Sequence, residues 1–203
     1  RVGCLPPFTD SGQSIHSRSL VEMHALGYLY GCDYRLACPF RELTRGEAAA
    51  LISRILGLPP AITDYFTDDD GSTFEEVINR LAAARITLGC APDRYCPERT
   101  MTRAEFATML DRAVGLTGKS PDAFNDDDGH WAEPAIDRLA AAGLTSGCGS
   151  GRFCPERSLT RDESAALFNR SLALLQPPPL LGSSHEDFPP EGDPPPIPAE
   201  ERD

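Results

Sequence analysis

Apolar residues return three and four positions apart in several separate stretches of the chain. Phe106, Met109, Leu110, Ala113 and Val114 trace one such stripe, the mark of a helix with one buried face. Leu51, Ile52, Ile55 and Leu56 repeat it earlier, and Leu167, Phe168 and Leu172 repeat it later. A shorter stripe precedes each: Leu20 with Met23, Ile78 with Leu81, and Ile136 with Leu139, Ala140 and Gly143. Pro134 stands where the first turn of a helix tolerates it. The pattern predicts short helices in three consecutive pairs.

The pairs are copies of one another. Phe8-Thr9-Asp10, Phe66-Thr67-Asp68 and Phe124-Asn125-Asp126 recur at a step of about 58 residues without insertion or deletion. Gly31-Cys32, Gly89-Cys90 and Gly147-Cys148 keep that step, as do Cys38-Pro39, Cys96-Pro97 and Cys154-Pro155. The expected organisation is an extension at 1–7, units at 8–65, 66–123 and 124–175, and a tail at 176–203. One unit has too little apolar surface to stand alone. Three can bury their stripes against each other, and no polar capping unit is evident, so a closed all-α assembly is expected rather than an open solenoid. The tail holds Pro177-Pro178-Pro179, Pro189-Pro190 and Pro194-Pro195-Pro196 among acidic residues; it reads as a disordered, solvated linker to further protein.

Charge narrows the partners. A formal net charge of -12 repels phosphate backbones and anionic membrane surfaces, so neither nucleic acid nor membrane insertion is expected. Six of the seven cysteines form close pairs, Cys32/Cys38, Cys90/Cys96 and Cys148/Cys154. They read as disulfides of an oxidising compartment. Zinc would need a second pair of ligands nearby, and no histidine or cysteine supplies one. Cys4 is left without a partner of its own.

Thr44-Arg45-Gly46-Glu47, Thr102-Arg103-Ala104-Glu105 and Thr160-Arg161-Asp162-Glu163 stand just before the long stripes. Thr44, Thr102 and Thr160 with Glu47, Glu105 and Glu163 are expected to form capping boxes. Capping does not account for the arginine, which meets the positive end of the helix dipole. It calls for an anion. Within the chain the candidates are Asp10, Asp68 and Asp126; outside it, an anionic ligand held by the guanidinium and free helix-end N–H groups. Burial of all three guanidiniums in ion pairs of the fold would remove the second reading.

Phe-x-Asp, His130-Trp131-Ala132, Gly143-Leu144, Gly147, Phe153-x-Pro155 and Thr-Arg-x-Glu together resemble the S-layer homology (SLH) repeat, in its order, over about the first 175 residues. The cysteine pairs resemble a branch seen in secreted actinobacterial proteins. The resemblance implies a three-pronged pseudo-trimer that anchors a secreted protein to the cell wall. It implies binding of an anionic, often pyruvylated, secondary wall polysaccharide in grooves between units. Arg45, Arg103 and Arg161 would face its carboxylate, with Asp10, Asp68 and Asp126 beside them and Trp131 stacking on a sugar unless it packs in the core. Tyr95 and Phe153 read as hydrophobic plugs of their loops.

The copies are unequal. Thr73 and Ile15 stand where Trp131 does, Ala37 stands where Tyr95 and Phe153 do, and Asp162 adds a charge beside Arg161. The first unit is therefore expected to be mainly structural. Asp68-Asp69-Asp70-Gly71 and Asp126-Asp127-Asp128-Gly129 invite a calcium reading, but they lack the EF-hand register, and turn formation accounts for them. No cofactor is expected, with calcium at these acidic runs as the alternative. His16, His24, His130 and His185 occupy no repeated position, so no catalytic set emerges. Two rivals remain: a protein–protein or surface-lattice module, and the non-catalytic part of an extracellular hydrolase.

Overall fold

The structure, a computed structural model, describes residues 8–175; the expected extension and Pro-rich tail lie outside the described residues. Six α-helices follow one another: α1 (Ser17–Ala25), α2 (Arg45–Leu56), α3 (Glu75–Ala83), α4 (Arg103–Val114), α5 (Glu133–Ala141) and α6 (Arg161–Leu175). A single 3-10 turn, Ser11–Gln13, precedes α1. Among the described residues there is no strand, only isolated bridges between extended residues. The all-α expectation is met.

The long helices are punctuated locally. α2 and α4 begin at capping boxes on Thr44 and Thr102 and end at left-handed Gly57 (φ 59°) and Gly115 (φ 73°), where glycine alone is unstrained. The short helices have nine residues each, too few to persist in water without packing. Their apolar pairs, Leu20/Met23, Ile78/Leu81 and Ile136/Leu139, are all 0–1% exposed. Tertiary burial holds these helices.

That burial runs across the units. α2 packs on α3, α4 on α5 and α6 on α1, while α2, α4 and α6 pack on one another. The two helices of one unit are not packed together. Each prong thus pairs the long helix of one unit with the short helix of the next, and the last unit returns to the first. At the axis the residues before the long helices close a ring: Leu43 N–H donates to Leu159 O, Leu159 N–H to Met101 O, and Met101 N–H to Leu43 O, each at 2.9 Å. Below it Phe106 meets Phe168 edge-on at 5.0 Å. A closed ring leaves no end unit in need of a cap.

Side-chain size is matched across these joints. A Cβ on Gly46 would lie 2.3 Å from the Phe74 ring. In the next joint Ala104 stands for Gly46 and Ala132 for Phe74, so the bulk is shared differently. Polar locks differ too. Arg138 forks onto Asp111 at 2.9 and 2.6 Å across α4 and α5. Arg80 donates to Leu58 O at 3.0 Å, and Asn169 to Glu22 at 2.7 Å. No helix of the described residues is long and apolar enough to cross a membrane.

Candidate functional site

Each inter-helix loop is gathered by the aspartate of its own Phe-x-Asp element. Asp10 accepts Ala37 N–H at 2.7 Å and Cys38 N–H at 2.8 Å. Asp68 takes Tyr95 and Cys96 N–H at 2.6 and 2.9 Å, and Asp126 takes Phe153 and Cys154 N–H at 2.6 and 2.9 Å. Burial by itself would raise the Asp68 carboxyl. The two amides and the Arg94 guanidinium outweigh that and hold it below its ordinary value. The second cysteine of each loop is left-handed, with φ of 48°, 59° and 59° at Cys38, Cys96 and Cys154. Cβ-bearing residues adopt that conformation only when their surroundings impose it. Here the carboxylate clamp and the disulfides Cys32–Cys38, Cys90–Cys96 and Cys148–Cys154 do so. Gly89 and Gly147 let the loop close, since a Cβ there would meet Arg94 O at 2.5 Å and Arg152 O at 2.2 Å.

The clamped loop receives the arginine of the preceding unit. Arg45 Nε donates to Tyr95 O at 2.8 Å, its guanidinium lies over the Tyr95 ring, and Nη1 reaches Glu105 at 3.1 Å. Arg103 repeats this on Phe153 O at 2.8 Å and Glu163 at 3.5 Å. Arg161 closes the circle on the first unit, donating to Ala37 O at 2.9 Å and Tyr30 O at 2.6 Å, with Glu47 at 3.6 Å. All three are buried, 2–5% exposed. The helix-start amides are also taken: Arg45 N–H by Arg99 O, Gly46 N–H by Pro97 O, and Glu47 N–H by Thr44 Oγ1.

The internal anion that the arginines meet differs from the expected one. Arg45, Arg103 and Arg161 meet the capping glutamate of the following unit and the carbonyl of the clamped residue, not the aspartate. Asp10, Asp68 and Asp126 act one residue away, by fixing that carbonyl. Arg103 and Glu163 also border a small cleft with Arg170. The capping boxes form as expected on Thr44 and Thr102. On α6 half of the box forms: Glu163 accepts Thr160 N–H at 3.2 Å, while Asp162 accepts Glu163 N–H at 2.9 Å in place of Thr160 and its other oxygen takes Ser14 Oγ at 2.6 Å. Asp162 thus ties the third unit to the first rather than facing Arg161.

A groove of about 350 Å³ opens between the second and third units. Cys90, Ala91, Cys96, Arg99, Glu105, Trp131 and Glu156 line it. Trp131 is 59% exposed, which removes the core-packing reading. His130 lies beside it, its ring 5.3 Å away, and is tied to Glu156 at 2.8 Å. Arg99 keeps 44% of its side chain exposed while bonding Glu105. The sequence reading passed over Arg99, although Arg41, Arg99 and Arg157 share the 58-residue step and each bonds its own unit's capping glutamate. That recurrence was the available signal. At the Trp131 position Ile15 is 93% exposed and Thr73 is also exposed, and neither brings an aromatic face.

Residues 65–107 and 123–165 match the family model described as S-layer homology domain. The chain belongs to the S-layer homology family. It is 32% identical over 160 residues to a cellulosome-anchoring protein of Acetivibrio thermocellus, an alignment covering 71% of this chain and 35% of that protein. It is 31% identical over 133 residues to an S-layer protein of Bacillus licheniformis, covering 63% and 15%. An endoglucanase of a Bacillus species is 31% identical over 99 residues, covering 49% and 10%. The chain therefore spans about a third or less of these relatives. The first SLH unit falls outside the matched segments, and it is also the one with Ala37 for the plug and Ile15 for the indole.

Acidic residues set further features of the SLH units. Burial would raise Glu163, but the bond from Arg157, the charge of Arg103 and the Thr160 amide hold it below its ordinary 4.5. A carboxyl depressed in the fold lends stability that is complete above that ordinary value and disappears as pH falls through the folded one. Urea midpoints measured on acidification should therefore fall below about pH 4.5, and Glu163→Gln should flatten that part of the profile. The neighbours of the clamps behave oppositely. Burial pushes Asp69 and Asp127 up to about 6, with nearby carboxylates, Asp64 and Asp137 foremost, reinforcing it.

Proposed function

We propose that this chain holds a secreted protein at the bacterial cell wall by seating a wall polysaccharide in the Trp131 groove. The observation that carries the reading is an exposed indole on a cleft lined by Arg99, Glu105 and Glu156. An indole face takes the C–H face of a sugar ring, and the polar side chains around it suit hydroxyl groups. Arg99 offers the accessible guanidinium that an anionic substituent, such as a pyruvyl carboxylate, would meet. The two glutamates temper the cleft's charge, so hydroxyl recognition supplies most of the affinity and the carboxylate adds to it.

Family membership supports the anchoring role, as do relatives named for cellulosome anchoring and for the S-layer. The endoglucanase relative fits a module joined to varied cargo, itself non-catalytic. Arg45, Arg103 and Arg161 serve the ligand indirectly, by fixing the walls of the grooves.

The test is sedimentation with protein-free wall sacculi. The intact chain should pellet with the walls. Trp131→Ala should weaken binding by about thirtyfold, the loss typical of a central aromatic anchor. Arg99→Ala should lose less, and its loss should shrink once ketal-linked pyruvate has been removed from the walls. A chain that stays in solution, or a Trp131→Ala protein that binds as well as the parent, overturns the proposal.

A further inference from the structure

Two buried carboxylates have nothing to bond. Asp69 is 0% exposed, and neither of its oxygens has a hydrogen-bond partner. Asp127, at the same position of the next unit, is 1% exposed with both oxygens again unpaired. A carboxylate withdrawn from water without a partner is among the most unfavourable groups a fold can contain. The feature is repeated, so it is not a single packing accident. The first unit has Ser11 at this position, buried, with its hydroxyl on Phe8 O at 3.5 Å.

Other carboxylates gather around the orphan. One oxygen from each of Asp64, Asp69 and Asp70 lies within 4.8 Å of the others. Calcium binds oxygen at about 2.3–2.6 Å, so two ligands on opposite sides of one ion stand roughly 5 Å apart. The three oxygens therefore fit a single coordination shell. Asp64 and Asp70 are exposed and open to solvent, leaving room for water ligands. Asn79 of α3 steadies the entrance, donating to Asp64 at 3.2 Å and accepting Tyr65 N–H at 2.9 Å. Asp122, Asp127 and Asp128 repeat the acidic positions 58 residues on without the same gathering of their oxygens, and Asp137 replaces Asn79, accepting Ala123 N–H at 3.0 Å. The first unit carries Gly12 and Val21 at the positions of Asp70 and Asn79.

We infer that the turn opening the second unit binds one calcium ion, with Asp69 as the buried ligand and Asp64 and Asp70 closing the shell. An all-oxygen, carboxylate-rich set selects a hard cation, and irregular loop ligands with room for water suit calcium better than magnesium. The ion would tie Asp64 to the turn at Asp69 and Asp70, and the Asn79 bond to Asp64 carries that link to α3. Because α3 packs on α2, calcium would tighten the α2–α3 joint and leave the α6–α1 joint untouched.

The test is calorimetric titration of the full 203-residue chain, stripped with chelator, using calcium chloride alone and magnesium chloride as the comparison. One calcium ion per chain is expected, with a thermal midpoint that climbs as calcium is added. Asp69→Ser, which copies the first unit, should remove that ion and abolish the midpoint shift, whereas Asp127→Ser should leave calcium uptake unchanged. Asp64→Asn with Asp70→Asn alters only exposed positions, so it leaves the core intact, and it should weaken the site by at least about tenfold. No binding by the intact chain at millimolar calcium overturns the inference. So does full uptake by Asp69→Ser or, should that variant not fold, unchanged affinity in the asparagine pair.

Discussion

Arg103→Ala should cost the fold about 3–5 kcal/mol, the range seen when one partner of a buried pair is deleted. The side chain is 4% exposed and sits where the second unit meets the third. Its removal strips Phe153 O of a charged donor at 2.8 Å, takes the guanidinium from the Phe153 face at 4.8 Å and leaves Glu163 with less compensation. Burial draws its pKa below the ordinary arginine value, and Glu163 offsets that only in part. Lysine should rescue little, because a single ammonium cannot reproduce the Nε bond, the ion pair and the planar stack together. Urea unfolding of parent, Arg103→Ala and Arg103→Lys chains checks this. A stability within about 0.5 kcal/mol of the parent, joined to lost wall binding, would return Arg103 to the role of ligand receptor.

Phe106→Ala should be comparably severe, about 3–5 kcal/mol, by opening a cavity at the pseudo-three-fold axis. Its ring is 0% exposed and meets Phe168 edge-on, adding a directional aromatic contact to the lost burial. The repeat makes the site unforgiving. The equivalent positions hold Ala48 and Ser164, side chains far smaller than the ring they would have to replace. Neither can move in to replace it. Phe106→Leu should lose far less, under about 1.5 kcal/mol, and the two urea midpoints side by side measure how much of the axis depends on that volume. If Phe106→Ala unfolds at nearly the parent's midpoint, the long helices are not the centre of the assembly.

These two residues differ in how far they could be read in advance. Phe106 lay on a stripe with a 3.6-residue period, and that period reports a buried face whatever lies opposite. Arg103 was conspicuous because capping could not account for it, yet its partners lie in another unit. The 50-residue gap to Phe153 leaves no mark on local spacing. Trp131 posed a simpler question of exposure, which a lone aromatic beside a helix start cannot answer from sequence. Asp69 and Asp127 looked like ordinary turn residues, since nothing in an acidic run tells which carboxylate will turn inward.

The sequence by itself determined everything that depends on neighbours a few residues apart or on exact recurrence: six helical segments, two capping boxes, the cysteine pairs and the three-fold repeat. Only the tertiary structure decided which copies pair, because three near-identical units offer each other chemically equivalent partners. Chain connectivity and ring closure choose among them, setting each long helix against the next unit's short one and α6 against α1. That choice buries the arginines and isolates two carboxylates. It also leaves one indole facing water.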